Sequence, residues 1–205
     1  MDKVVIKTKN IDYKAQEAIR GLRSFLENGA KDGNVIAFTS VVAKEGKSFV
    51  TFQTASAMAA SGKTCVYVNA NLREVVAADI YEASGVKNTL AAYLEGKCSM
   101  EACVCETSDK NLYIVEAGAP CKNAPELLAT EAYDNLIKYL GKEYDYVLID
   151  TPAVGVVSDA LVVGSRANEV ILVMETETVP YEQAQKVKKQ FEMNNCKVAG
   201  VVLNK

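Results

Sequence analysis

Residues 35–53 read VIAFTSVVAKEGKSFVTFQ. An apolar run of strand character, VIAFTS, gives way to a loop closing on Gly46-Lys47-Ser48, and a helix-like stretch starts at once. A phosphate site needs that order. Successive backbone N–H groups and the helix N-terminus surround the anion, a lysine reaches the β and γ oxygens, and a hydroxyl takes Mg2+. The candidates are therefore Ala43, Lys44, Glu45, Gly46, Lys47, Ser48 and Phe49 for phosphate, with Ser48 also a metal ligand. The fit to G-x-x-x-x-G-K-[ST] is incomplete, because Val41 stands where the first glycine belongs. Alone, Gly-Lys-Ser is as readily an ordinary turn into a helix.

A second stretch shifts the balance. DYVLIDTP (145–152) is an apolar strand closing on Asp150, the form of a Walker B element whose aspartate supports Mg2+. A strand-end aspartate by itself is commonly only a cap. A strand-GKS-helix unit and a strand-DTP unit in one parallel sheet point together to binding of ATP or ADP with Mg2+, with Lys47 and Asp150 as catalytic candidates.

The composition narrows the chemistry. The 205 residues are 49% hydrophobic, enough for one well-filled α/β domain over 1–205. A net charge of -3 carries no basic excess for nucleic acid. No stretch approaches the roughly 18 apolar residues of a membrane span, and the start MDKVVIKTKN lacks a signal peptide, so a cytoplasmic protein is expected. Histidine is absent, which removes Ser-His-Asp and Cys-His catalysis and imidazole metal sites. Acid-base work falls to carboxylates, lysine, tyrosine or water. The six cysteines form no CxxC pair and are expected as reduced thiols, a Cys98/Cys103/Cys105/Cys121 metal site being the sharper alternative.

Apolar runs at 35–40, 64–69, 111–118, 145–150, 169–175 and 198–204 alternate with helix-like stretches at 48–61, 125–140 and 180–195. Continuous Val/Ile-rich runs are strands buried on both faces, so the pattern predicts a three-layer α/β P-loop NTPase fold with a mostly parallel central sheet flanked by helices. Short helices are expected near 75–83, 88–95 and 99–105. Before the first core strand, 13–28 is amphipathic, with Ala15, Ala18, Ile19, Leu22, Phe25 and Leu26 on one face. Glu17, Arg20 and Arg23 step across the other, and on spacing alone they are a solvated face.

These motifs together resemble the bacterial tyrosine kinases of capsule and exopolysaccharide type, the CpsD/CapB-like kinases related to MinD/ParA ATPases, from Tyr13 to Asn204. The family's ExxRxxR helix is EAIRGLR (17–23), its P-loop SVVAKEGKS (40–48), and its DxDxR strand end VNANLR (68–73). LIDTP (148–152) and VVLNK (201–205) match its Walker B and terminal strands. The resemblance implies autophosphorylating tyrosine-kinase activity, Asn204 near the adenine, and ring assembly through Glu17, Arg20 and Arg23. It also implies a transmembrane polysaccharide co-polymerase partner that recruits the kinase to the inner face of the membrane, and tyrosine-containing protein substrates. MinD/ParA proteins carry a signature lysine where this chain has Val42, which favours the kinase branch. Lys44 stands where the family often has glycine, and the ten tyrosines form no terminal cluster within residues 1–205.

The largest departure is Asn69 and Asn71 in place of both aspartates of DxDxR. An amide keeps the shape of the acid and can hold a metal-bound water. It cannot neutralise Mg2+ or accept a hydroxyl proton. A positioned base is worth about 10²–10⁴ in rate. The plainer reading is that both residues cap a strand end. The expectation is a kinase with impaired transfer; a catalytically dead ATP-binding regulator and a MinD/ParA-like ATPase are the alternatives.

Overall fold

The computed structural model describes residues 3–6, 11–29, 34–74, 81–82, 86–176 and 178–205. In chain order its elements are β1 (Lys3–Ile6), α1 (Tyr13–Gly29), β2 (Val35–Ser40), α2 (Lys47–Ala60), β3 (Cys65–Asn69), β4 (Tyr81–Glu82) and α3 (Leu90–Leu94). There follow β5 (Val104–Thr107), β6 (Leu112–Val115), α4 (Ala124–Leu128), α5 (Glu131–Glu143), β7 (Tyr146–Asp150), α6 (Asp159–Gly164), β8 (Glu169–Glu175), α7 (Tyr181–Met193) and β9 (Val198–Asn204). The strands form one sheet in the order β4-β1-β5-β6-β3-β7-β2-β8-β9. The six expected apolar runs are the six neighbours β6 to β9 in that order, all parallel.

Alternate side chains of each central strand enter opposite cores. Val35, Ala37, Val66, Val68, Val147 and Ile149 face the helices α3 to α7. Ile36, Phe38, Cys65, Tyr67 and Leu148 face α1 and α2. Both sets are apolar because both faces are covered, which is why the runs look continuous in sequence. No helix among the described residues is long and apolar enough to cross a membrane.

Three expectations are corrected. Residues 81–82 of the expected 75–83 helix form β4, paired antiparallel with β1; residues 75–80 and 83 lie outside the described ones. The 99–105 helix is a single 3-10 turn at 101–103 running into β5, which pairs antiparallel with β6 and parallel with β1. Short apolar runs do not separate helix from strand by periodicity, and pairing decided here. The 125–140 stretch is two helices. Thr130 adopts an extended backbone, caps α5 by accepting the Tyr133 N–H, and donates its hydroxyl to Leu127 O (2.7 Å). The 88–95 helix is found as α3.

All six cysteines are free thiols. The four-cysteine metal site is not formed: Cys103 packs into one core and Cys105 into the other, so the two thiols sit on opposite sides of the sheet. Among the described residues no three His, Cys, Asp or Glu side chains cluster as a metal cage.

Candidate active site

The loop between β2 and α2 lies at the carboxyl end of the parallel sheet, where ligands of open α/β folds bind. Gly46 begins α2 with φ 78°, and a Cβ there would fall 2.2 Å from the Asn204 amide. Only glycine fits that close approach. Lys44 also takes a left-handed backbone, φ 70°. No side chain caps α2, so the N–H groups of its first turn are free to bind an anion. Lys47 and Ser48, the first residues of the helix, are buried beside them.

Glu45 belongs to the loop through its backbone, and its side chain has a separate task. Its carboxylate is buried and accepts the N–H groups of Val42 (2.8 Å) and Glu175 (3.1 Å). A carboxylate among phosphates would be repelled, and here it anchors the loop to the end of β8. The Asn204 side chain donates to the Glu45 carbonyl at 3.2 Å, so the last strand braces the same loop.

Asp150 is completely buried at the end of β7. Its Oδ2 accepts the Tyr67 hydroxyl at 3.1 Å, and its Oδ1 has no partner. Burial pushes the Asp150 carboxyl up, while the Lys47 ammonium, the Ser48 hydroxyl and Tyr67 pull it down. The Tyr67 ring is held by Phe52 of α2 (5.5 Å, edge-on) and by Tyr81 (5.9 Å). A fully buried carboxyl oxygen without a partner, beside a lysine, a serine and an uncapped helix, fits a Mg2+-nucleotide. Ser48 and Asp150 are the side chains that could hold the metal, and Mg2+ needs only one or two such ligands when phosphate supplies others.

A family model described as "AAA domain" matches residues 33–197. The chain belongs to the AAA-domain family. It is similar to Tyrosine-protein kinase CpsD of Streptococcus agalactiae, 29% identical over 192 residues that cover 94% of this chain and 84% of that protein. The kinase domain of Escherichia coli tyrosine kinase ETK superposes with a TM-score of 0.86 at 25% identity, over 97% of this chain and 81% of that one. The septum site-determining protein MinD of Pyrococcus horikoshii, complexed with Mg-ADP, matches with a TM-score of 0.71 at 26% identity, over 84% and 70%. The resemblance to capsule-type tyrosine kinases, and the kinship with MinD, are thus both found.

Within this AAA domain Asn69 and Asn71 are both buried. Asn69 pairs with Asp150 across β3 and β7. The Asn69 Oδ1 accepts the Asn71 N–H and the Asn71 Oδ1 accepts the Arg73 N–H, both at 3.2 Å. The plainer reading of the amides is therefore met as well: each caps the turn after β3. That turn is fixed from outside by Arg73, whose guanidinium makes a bidentate pair with fully buried Asp159 of α6 (2.7 and 2.8 Å). Tyr67, which holds Asp150, and Asp159, which holds Arg73, are supporting residues that sequence reasoning missed, and it also passed over Glu116, a buried carboxylate just past β6.

The α1 stripe is less uniform than its spacing suggests. Glu17 and Arg20 are exposed and pair with each other. Arg23 is half-buried instead, reaching Ala57 O of α2 (3.4 Å) and Glu27 (3.8 Å). Phe25, expected on the buried face, is 47% exposed.

Proposed function

We propose that this chain is an ATP-dependent protein-tyrosine kinase of the capsule and exopolysaccharide type, using Mg2+ at residues 40–48. The observation that carries this reading is the unpartnered buried oxygen of Asp150 beside Lys47 and Ser48. Bound Mg2+ supplies neutralisation of the β and γ oxygens. Lys47 and the α2 amides bind and orient the phosphates, Tyr67 fixes Asp150, and Asn204 lies near the adenine. Phosphoryl transfer rests on positioning and electrostatics, which this frame supports. Accepting the proton of an incoming tyrosine hydroxyl is what Asn69 and Asn71 cannot do. We place the protein in the cytoplasm, recruited to the inner face of the membrane by a transmembrane polysaccharide co-polymerase. It assembles there as a ring through Glu17, Arg20 and Arg23, and acts on tyrosine-containing proteins.

Calorimetric titration of ADP with Mg2+ tests the site: Lys47→Met should lose most of the affinity, and unchanged binding would sink the reading. Transfer of label from γ-labelled ATP to a tyrosine substrate, with the partner's cytoplasmic tail added, tests the activity. The two amides favour a second reading, a nucleotide-gated regulator without transfer; binding with no labelled tyrosine would select it.

A further inference from the structure

Glu116 follows β6 as directly as Asp150 closes β7. The β6–β3 register pairs Val115 with Val68, and the β3–β7 register pairs Asn69 with Asp150. One further step along the first ladder sets Glu116 beside Asn69. Neighbours across a sheet share a face, and Ile114, Tyr67 and Leu148, two residues earlier on each strand, all pack under α2. Glu116, Asn69 and Asp150 therefore form one row at the carboxyl end of the sheet, on the side of the phosphate loop. Their exposures are 8%, 1% and 0%.

The row has two carboxylates flanking an amide. The Glu116 Oε2 accepts the Ala117 N–H at 2.9 Å, and the Asn69 and Tyr81 side chains lie against it. The Tyr81 hydroxyl makes no well-formed hydrogen bond there. Because the Asn69 Oδ1 is taken by the Asn71 N–H, the Asn69 NH2 is the end left for Glu116. Burial pushes the Glu116 carboxyl up, and only hydrogen-bonding neighbours oppose it; among the described residues no cation does. A buried carboxylate without a cation is costly, and so is the unpartnered Asp150 Oδ1 in the same row. An aspartate at 69 would have placed three acids side by side.

We infer that Glu116 supplies from β6 the carboxylate that the end of β3 lacks, facing the water shell of the nucleotide's Mg2+ across Asn69 and opposite Asp150. The acid has been moved one strand over, and the Asn69 amide is what allows it to sit there. This rests on the proposed nucleotide site. Glu116 acts through the metal's waters, so it is a positioning residue, and its signature is the gain in ADP affinity on adding Mg2+.

The experiment compares ADP titrations with Mg2+ and with chelator for the parent, Glu116→Gln, Asn69→Asp, the swap Asn69→Asp/Glu116→Gln, and Lys47→Met. Glu116→Gln should cut the Mg2+-dependent gain at least about 5-fold, the low end of ordinary coupling between two ligands, while metal-free affinity moves less than about 2-fold. Asn69→Asp should lower the melting temperature of the metal-free protein, and the swap should recover both stability and the Mg2+ gain. A merely structural Glu116 would shift both titrations equally, and that result overturns the inference while Lys47→Met still shows the nucleotide site to be real. If Glu116→Gln does not fold, the swap decides: it keeps one carboxylate in the row, and a swap that folds without the Mg2+ gain also overturns it. Should Lys47→Met bind ADP like the parent, the nucleotide reading fails first and takes this inference with it.

Discussion

At the scale of single residues, strain and charge sit where the phosphate loop is made. Lys44 holds φ 70° with a long side chain attached, a conformation costing about 1–2 kcal/mol for a residue of its kind. Glycine brings its own entropy loss of about 0.5–1 kcal/mol, so Lys44→Gly should raise the unfolding free energy by roughly 0.5 kcal/mol in urea titrations. A loss of stability would mean that the lysine side chain makes contacts worth more than its strain. Asn71 offers the sharper test. Its Oδ1 needs only to accept the Arg73 N–H, which an aspartate does equally well, and position 71 does not crowd Glu116 as position 69 would. Asn71→Asp should raise tyrosine phosphorylation at least about 10²-fold with little change in ADP affinity, because a positioned base acts in the transition state. If label transfer does not rise, the amide is not the block and the geometry around Lys44 becomes the explanation.

At the scale of elements, the turn after β3 is held by a buried ion pair with α6. Asp159 is fully buried while the Arg73 side chain is 32% exposed. Removing one partner of a buried pair costs about 3–5 kcal/mol; with one side open to water, Arg73→Met should cost about 2–3 kcal/mol in chemical denaturation. Arg73→Met with Asp159→Leu should recover most of that. A second junction is pH-dependent. The Thr64 N–H and hydroxyl donate to Asp145 at 2.8 and 2.9 Å, joining the starts of β3 and β7, and these hydrogen bonds hold the Asp145 carboxyl below its usual value. A depressed carboxyl contributes stability above its unfolded value and loses it as the pH falls through the folded one. The melting-temperature gap between parent and Asp145→Asn should therefore be present at neutral pH and close in acid. The same scale shows what was legible. The six parallel strands could be read because both faces are buried and each run is continuously apolar. β1, β4 and β5 could not, because they are two to four residues long and defined by pairing alone. Asp150 announced itself as a charge ending an apolar run. Glu116 carried the same mark, but nothing in the chain says that β6 lies next to β3, and Asp159 gains its meaning from an arginine 86 residues away.

For the whole molecule, Arg23 divides the assembly question into two parts. Glu17→Ala with Arg20→Ala should lower the mass of the nucleotide-loaded protein in light scattering without changing its melting temperature, since both residues are exposed and, among the described residues, pair with each other. Arg23→Ala should also lower the melting temperature, because it loosens α1 from α2. A wild-type protein that stays monomeric at high concentration with nucleotide would rule out the ring.

The brace on the phosphate loop also sets an order of events. Glu45 is tied to Glu175 and Asn204, 130 and 159 residues further along the chain. Contacts so distant in sequence close late, since loop entropy is lost before they form. The loop can approach its geometry once β2 and α2 exist, but it cannot be rigid until β8 and β9 have docked. Competence to bind nucleotide is then the last property the chain acquires. In a refolding experiment the signal of a fluorescent ADP should trail the recovery of helical circular dichroism, and Asn204→Ala should lengthen that delay.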